Sequence, residues 1–248
     1  MNKLVNLESL PQKVKKIVEP YCSGMLKLHG DNLESIVVYG SSTGKDFVPG
    51  RSNINLLLIF RKLELGDLKL SLKLVAKGRK NGIIAPLFLT EKHVETSTDV
   101  FPIEFLEMKE NHLVIYGHDM LENLEIAGDN IRLQCEQQVK GKLIRLRQAY
   151  LEIGLKRKGV EALLIESLTS LIPTFRNMLR LKGREVPLEK DKVVNRTADE
   201  FGVDGEIFLD ILRDKKGDEK IGGMDADEFL GKYLEEIRKL AIAVDELK

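Results

Sequence analysis

The sequence predicts an α+β chain: a mixed-sheet domain over about residues 1–125, followed by an all-α helical bundle over about 126–248. Three observations predict it. In the first part, short β-rich apolar runs alternate with helical spacing, the pattern of a sheet with covering helices. After about residue 126 no strand pattern recurs, and apolar residues step by three and four instead. No internal repeat, low-complexity tract or long linker interrupts either part.

Taken in order, a first helix is expected to open near Ser9 and Pro11, a capping hydroxyl and a first-turn proline. Strands are expected in Ser35 to Tyr39, Ile54 to Phe60, Ile83 to Leu89 and Phe101 to Met108. Between the second and third runs, Gly66 to Lys80 carries Leu68, Leu72 and Val75 at helical spacing. In the second part, Val139, Leu143, Leu146, Tyr150 and Ile153 form one apolar stripe. Leu164, Leu168, Leu171, Phe175 and Met178 form another, with Pro173 inside it as an expected kink. Phe229, Tyr233, Ile237, Leu240 and Val244 mark the last helix. Shorter helices at about 188–201 and 204–214 are expected to stop at Gly202 and Gly217.

Composition narrows the function classes. The 248 residues carry 39 Lys+Arg against 39 Asp+Glu, so the formal charge is zero. A nucleic-acid binder draws affinity from a basic excess that this chain lacks, so no nucleic acid partner is expected. No apolar run approaches the roughly 18 residues of a membrane helix, so no membrane partner is expected either. The two cysteines, Cys22 and Cys135, make neither a disulfide framework nor a zinc-ligand spacing. No secretory h-region follows the first residues, and a cytoplasmic location is the expectation. The four histidines form no metal pair: Asn111-His112 reads as a hairpin turn, and His118 lies just past a strand. Positive charge nevertheless collects locally. Lys69, Lys73 and Lys77 step by four into one helical stripe, and residues 140–158 hold a second basic cluster that includes Lys140, Lys142 and Arg145.

The most informative stretch is 36–60. An apolar strand ends in Gly40-Ser41, followed by Ser42, Thr43 and Gly44; a second apolar strand opens at Ser52-Asn53-Ile54-Asn55. A Gly-Ser turn after a strand, leading into a short helix, lets backbone N–H groups and a hydroxyl approach a phosphate. Asn53 and Asn55, two apart, share one face of their strand. Glu104, read as mid-strand in Phe101 to Phe105, is the acidic residue expected to project toward them.

This arrangement resembles the nucleotidyltransferase superfamily, of the DNA polymerase β-like and kanamycin nucleotidyltransferase-like kind. That pattern places a Gly-Ser or Gly-Gly turn about ten residues before two alternating carboxylates, with a third carboxylate on a later strand. Here residues 42 to 52, eleven in all, separate Ser41 from Asn53. The resemblance covers about residues 30 to 120, and a helical domain after the sheet also fits it. It implies a nucleotide or phosphate site at Gly40, Ser41 and Ser42, and places Asn53, Asn55 and Glu104 at the positions of the catalytic carboxylates.

The departure from that pattern sets the functional expectation. The carboxylates hold divalent ions that bridge nucleotide phosphates and activate the attacking hydroxyl. Two amides bring dipoles instead of charges, and a unit charge pair at about 4 Å is worth about 4 kcal/mol at an effective dielectric near 20. Glu104 alone is a weak metal ligand, and Asp46 in the intervening loop is the other acidic residue near. The leading expectation is a catalytically impaired nucleotidyltransferase-fold protein acting as a nucleotide-binding or regulatory module, with no cofactor. An alternative is an active magnesium-dependent transferase acting on a small hydroxylated or protein acceptor. A second alternative is a structural protein with a vestigial cleft and a protein partner bound through the helical bundle.

Overall fold

The structure, a computed structural model, describes residues 3–44, 47, 52–153, 156–217 and 225–247. In chain order its elements are α1 (Gln12–His29), β1 (Leu33–Tyr39), β2 (Asn55–Phe60), α2 (Leu65–Lys80), β3 (Leu87–Thr90), α3 (Glu91–Glu95), α4 (Pro102–Glu110) and β4 (His112–Gly117). They are followed by α5 (Gly128–Ile153), α6 (Arg157–Leu181), α7 (Lys190–Phe201), α8 (Gly205–Lys216) and α9 (Ala226–Asp245). The chain divides into two compact units, Met1–Ile126 and Ala127–Lys248. Together these elements make the α+β class expected from the sequence. Among the described residues, no helix is long and apolar enough to cross a membrane.

The first unit is built on a four-stranded sheet in the order β3-β2-β1-β4. β1 pairs antiparallel with both β2 and β4, while β2 and β3 run parallel and are joined through α2, the crossover that parallel neighbours need. The unbroken apolar run of β1 follows from its position. Ile36, Val37 and Val38 are all 0% exposed because each face of the sheet is covered. On one face Ile36, Val38, Leu56, Leu58 and Phe60 pack with Val14, Val18 and Met25 of α1. On the other, Val37, Leu57 and Ile59 pack with Val94 of α3, Phe105 and Met108 of α4, and Leu121. The free edge of β4 is blunted by the N-terminal segment: Val5 N–H donates to Ile115 O at 2.8 Å, and Asn6 Nδ2 to Val114 O at 2.9 Å.

Helices α1 and α2 approach closely where glycine removes a side chain. A Cβ on Gly24 would lie 2.8 Å from Leu74 Cδ2, and one on Gly78 would lie 2.6 Å from the Tyr21 ring. His29, the last residue of α1, ties the pair together. Its Nε2 lies 2.8 Å from Ser71 Oγ, whose own proton goes to Asp67 O at 3.0 Å, so the imidazole is the donor. Burial pulls the His29 pKa below its ordinary value, against the opposing pull of Asp67, and keeps the ring neutral.

Four sequence expectations are corrected here. Phe101 to Met108 is not a strand: residues 102–110 form α4, so Glu104 sits in the first turn of a helix, exposed to solvent. The alternation of Phe101, Ile103 and Phe105 imitates a strand. Pro102, however, cannot donate to a ladder and is well placed at the start of a helix. Asn111-His112 is therefore a helix-to-strand junction rather than a hairpin turn. Ser9 ends a short 3₁₀ turn, and α1 begins after Pro11 without a side-chain cap. In the run from Ile83 to Leu89, Ile83 makes a single bridge with Ile54, and the ladder resumes only at Leu87, past Pro86.

The second unit is all helical among its described residues. Leu164, Leu168, Leu171, Phe175 and Met178 of α6 are at most 1% exposed, as are Tyr233, Ile237, Leu240 and Val244 of α9. Phe175, Phe208 and Tyr233 stack edge to face with centroids 5.6 Å apart, and Tyr233 OH pairs with Ser167 Oγ at 2.9 Å. α6 runs through Pro173, with Asn177 Nδ2 donating to the Pro173 carbonyl at 2.8 Å. Gly202 and Gly217 stop α7 and α8 in the left-handed conformation, at φ 64° and 84°. Part of the second basic cluster is neutralised locally: Lys140 bridges Glu136 at 2.6 Å and Asp245 at 3.1 Å.

Gly117 closes β4 at φ 78°, and a Cβ there would lie 1.9 Å from the Glu34 backbone oxygen. The same turn is pinned by Ser35 Oγ, which reaches Tyr116 O at 3.1 Å and His118 O at 2.8 Å. Gly117→Ala is expected to cost about 3 kcal/mol, summing left-handed strain and overpacking against backbone that has nowhere to move. Urea denaturation of the variant checks it; a loss below about 1 kcal/mol would show that the turn relaxes freely.

Candidate functional site

The site grows from the C-terminal end of β1. Tyr39 is the last paired residue; opposite it stand Asn55 on β2 and His112 on β4. Side chains alternate along a strand, so Asn55 shares the face of Leu57, Tyr39 that of Val37, and His112 that of Val114. Those three apolar residues belong to the same core cluster. Asn55, Tyr39 and His112 therefore form a polar row across three strands at one end of the sheet. Burial raises the Tyr39 phenol above its ordinary value, so it stays a neutral donor.

The chain leaves this row through Gly40, which adopts φ 76°. Its N–H donates to Asn111 O at 2.8 Å, and a Cβ on it would come within 3.1 Å of Asn55 Nδ2. The backbone angle favours glycine here, and any Cβ would press against the Asn55 amide. Residues 40–43 then form a single 3₁₀ turn, far shorter than a dipole-bearing helix. Ser42 is 0% exposed, and its hydroxyl donates to Tyr39 O at 3.1 Å, so it holds the turn from inside. Thr43 does the same with Gly40 O at 2.9 Å. Ser41 is the exposed hydroxyl of the turn.

Asn53 and Asn55 bracket Ile54, which is 1% exposed. Asn53 is exposed and Asn55 half-buried, so both amides stand on the side away from Ile54. Glu104 does not join them from a neighbouring strand. It belongs to α4, whose buried side carries Ile103, Phe105 and Met108. Asp46, the loop carboxylate, lies outside the described residues.

Sequence reasoning missed the pair behind the row. His112 Nε2 lies 2.8 Å from Asp119 Oδ2, and Nδ1 lies 2.9 Å from Lys109 O. A carboxylate and a carbonyl both only accept, so each ring nitrogen of His112 sits against an acceptor. Asp119 also accepts the N–H groups of Leu121 at 2.9 Å and Glu122 at 3.1 Å. Burial alone raises this carboxyl, but the His112 ring and the two backbone donors outweigh it and hold the group below its ordinary value. The pairing of His112 with a residue seven positions later is a faint signal, visible only once the strand between them is known.

Neither a protein-family model nor a curated protein matches the sequence. Solved structures do. The crystal structure of spectinomycin adenyltransferase AAD(9) from Enterococcus faecialis with ATP and spectinomycin is similar with a TM-score of 0.58 and 15% identity, over 93% of this chain and 99% of that one. The chain has a nucleotidyltransferase-like fold. A nucleotidyltransferase-like protein from Exiguobacterium sibiricum 255-15 is also matched, with 13% identity and a TM-score of 0.33, over 95% of this chain and 73% of that one.

On this nucleotidyltransferase-like fold the described donors do not fit a pair of magnesium ions. Asn53 and Asn55 are neutral, and the strands that follow, Leu87–Thr90 and His112–Gly117, contain no acidic residue. Among the described residues no group of three or more His, Cys, Asp and Glu side chains is placed to hold a metal. Hard divalent cations need charged oxygen ligands that this set lacks.

The His112–Asp119 pair carries a pH signature. A carboxyl titrating below its unfolded value binds fewer protons when folded, so its contribution is complete above about pH 4 and is lost as pH falls through the lower folded value. Asp119→Asn is expected to cost about 1–3 kcal/mol at neutral pH and to flatten the acid limb of stability below pH 4. Thermal or urea unfolding from pH 7 to pH 3 checks it; an unchanged acid limb in the variant would exclude Asp119 as its source.

Proposed function

We propose that this protein is a nucleotide- or phosphate-binding module on a nucleotidyltransferase-like fold whose metal-dependent transfer chemistry is impaired. The observation that carries the proposal is the electrostatic character of the turn region. Gly40-Ser41 is retained at the end of β1 with Asn55 packed on it, and neutral amides stand where the family pattern has carboxylates. The structural neighbour solved with ATP supports a nucleotide as the ligand class. Two carboxylates without metal would repel a polyphosphate. Two amides supply donors, and a neutral carboxamide can hydrogen-bond a phosphate oxygen.

The active-transferase alternative would need Glu104, and its exposed position in the first turn of α4 gives that reading no support. The free, buried cysteines agree with a cytoplasmic, reducing location, which we include in the proposal.

Isothermal titration with ATP tests the reading. Binding to the parent is expected in the micromolar range and unchanged within about twofold, or about 0.4 kcal/mol, when magnesium is replaced by a chelator. The double variant Asn53→Asp with Asn55→Asp is expected to lose metal-free binding and to bind ATP at least about tenfold better with magnesium than without. Parent binding that requires magnesium would refute the metal-free site. A double variant indifferent to magnesium would show that more than charge has been lost.

A further inference from the structure

Helix α2 presents an unusual surface. Leu65, Leu68, Leu70 and Leu72 are 65%, 42%, 50% and 63% exposed, so much of its apolar content does not serve the core. Between α2 and α1 runs a groove of about 700 Å³ whose apolar walls are Leu28, Leu70 and Leu74. Lys27, Lys69, Lys73 and Lys77 frame it, and no carboxylate lines it. Among the described residues none of these four lysines makes an ion pair, whereas the neighbouring Lys62 pairs with Glu64 at 2.6 Å.

A second observation points to an occupant. A smaller cavity of about 70 Å³ shares Leu74 and Lys77 with the groove and is lined by Tyr21. Tyr21 is 4% exposed, and among the described residues its hydroxyl has no hydrogen-bond partner. A buried hydroxyl left unpaired is destabilising, and a ligand acceptor would relieve that cost. Burial raises the phenol well above its ordinary value, so it is a donor at any physiological pH.

We propose that the α1–α2 groove is a docking site for an acidic amphipathic helix of a partner protein. Its leucines take the apolar stripe of the incoming helix. The four lysines meet carboxylates on its flanks, and the Tyr21 hydroxyl donates to an acceptor side chain that enters the adjoining cavity. A concave groove with apolar walls and a cationic frame suits a segment that inserts leucine side chains and carries carboxylates on its flanks. Bases would find few aromatic platforms on the groove walls.

The test uses the full chain and two synthetic 18-residue helical peptides, one with leucine at helical spacing flanked by glutamate and one with lysine in place of each glutamate. Anisotropy titration is expected to show binding of the glutamate peptide only, weakening as salt rises through the Debye range. Lys69→Glu with Lys73→Glu, both on the exposed side of α2, is expected to weaken it at least about tenfold while leaving ATP binding intact. Tyr21→Phe should weaken it about threefold without lowering the melting temperature, because the hydroxyl it removes contributes no internal bond. Absence of binding by the glutamate peptide, equal binding of both peptides, or an unaffected lysine variant would overturn the proposal. So would binding to phosphatidylglycerol vesicles in place of the peptide, or self-association abolished by the lysine substitutions. Because ATP titration is read separately, failure here leaves the nucleotide reading standing, and the reverse holds.

Discussion

The register of β1 is the constraint from which the candidate site follows. β1 is paired on both edges and covered on both faces, so a slip of one residue would turn Ile36, Val37 and Val38 to the wrong layers at once. With that register held, Tyr39 must face Asn55 on one side and His112 on the other. Gly40 must then turn away beside the Asn55 amide. The site therefore rests on a strand buried on both faces, while the side chains that would meet a ligand stand at its open end. Support of this kind favours precise placement of polar groups, because rigid elements rather than loops set their spacing.

Electrostatics then separates this site from the pattern it resembles. In a metal-dependent transferase the strand carboxylates and the bound ions form one unit, and neither is tolerated without the other near a polyphosphate. Here the negative half of that unit is absent from the described strands. Nearby, the half-buried carboxylate of Asp119 is engaged by His112 and two backbone N–H groups. On the proposed reading, the polar row offers an anion hydrogen-bond donors in place of a metal.

Much of this was legible in the sequence, for identifiable reasons. β1 and β2 announce themselves because strands buried on both faces are continuous apolar runs, and the stops at Gly202 and Gly217 because a left-handed cap favours glycine. Gly40, Ser41, Asn53 and Asn55 were found together because strand, turn and strand keep a fixed spacing in the chain. Glu104 was misplaced because Phe101, Ile103 and Phe105 alternate like a strand over too short a window for period to decide, and Pro102 was the stronger signal. Tyr39 and His112 escaped notice for a different reason. They meet through strand pairing across more than seventy positions, and nothing local in either segment encodes that partnership. Ser42 illustrates the limit of motif reading: its type fits a phosphate site, yet its hydroxyl serves the Tyr39 carbonyl.

Helix α2 poses the remaining physical question, because its sequence agrees with the fold only in part. As the crossover between β2 and β3 it needs one apolar side, and Leu74 and Val75 supply that side toward the α1 layer. Leu65, Leu68, Leu70 and Leu72 do not contribute to it, and exposed leucines beside unpaired lysines add nothing to folding. Nor does the close approach of Gly24 and Gly78 explain them, since that contact is made on the buried side. A helix serving only as a crossover would carry polar residues at those positions. Conflict of this sort between local composition and the demands of the fold concentrates where a surface has a second role. Tyr21, whose hydroxyl has no hydrogen-bond partner among the described residues, lines the cavity that shares Leu74 and Lys77 with this groove, and the proposed apolar, acidic occupant would account for both observations.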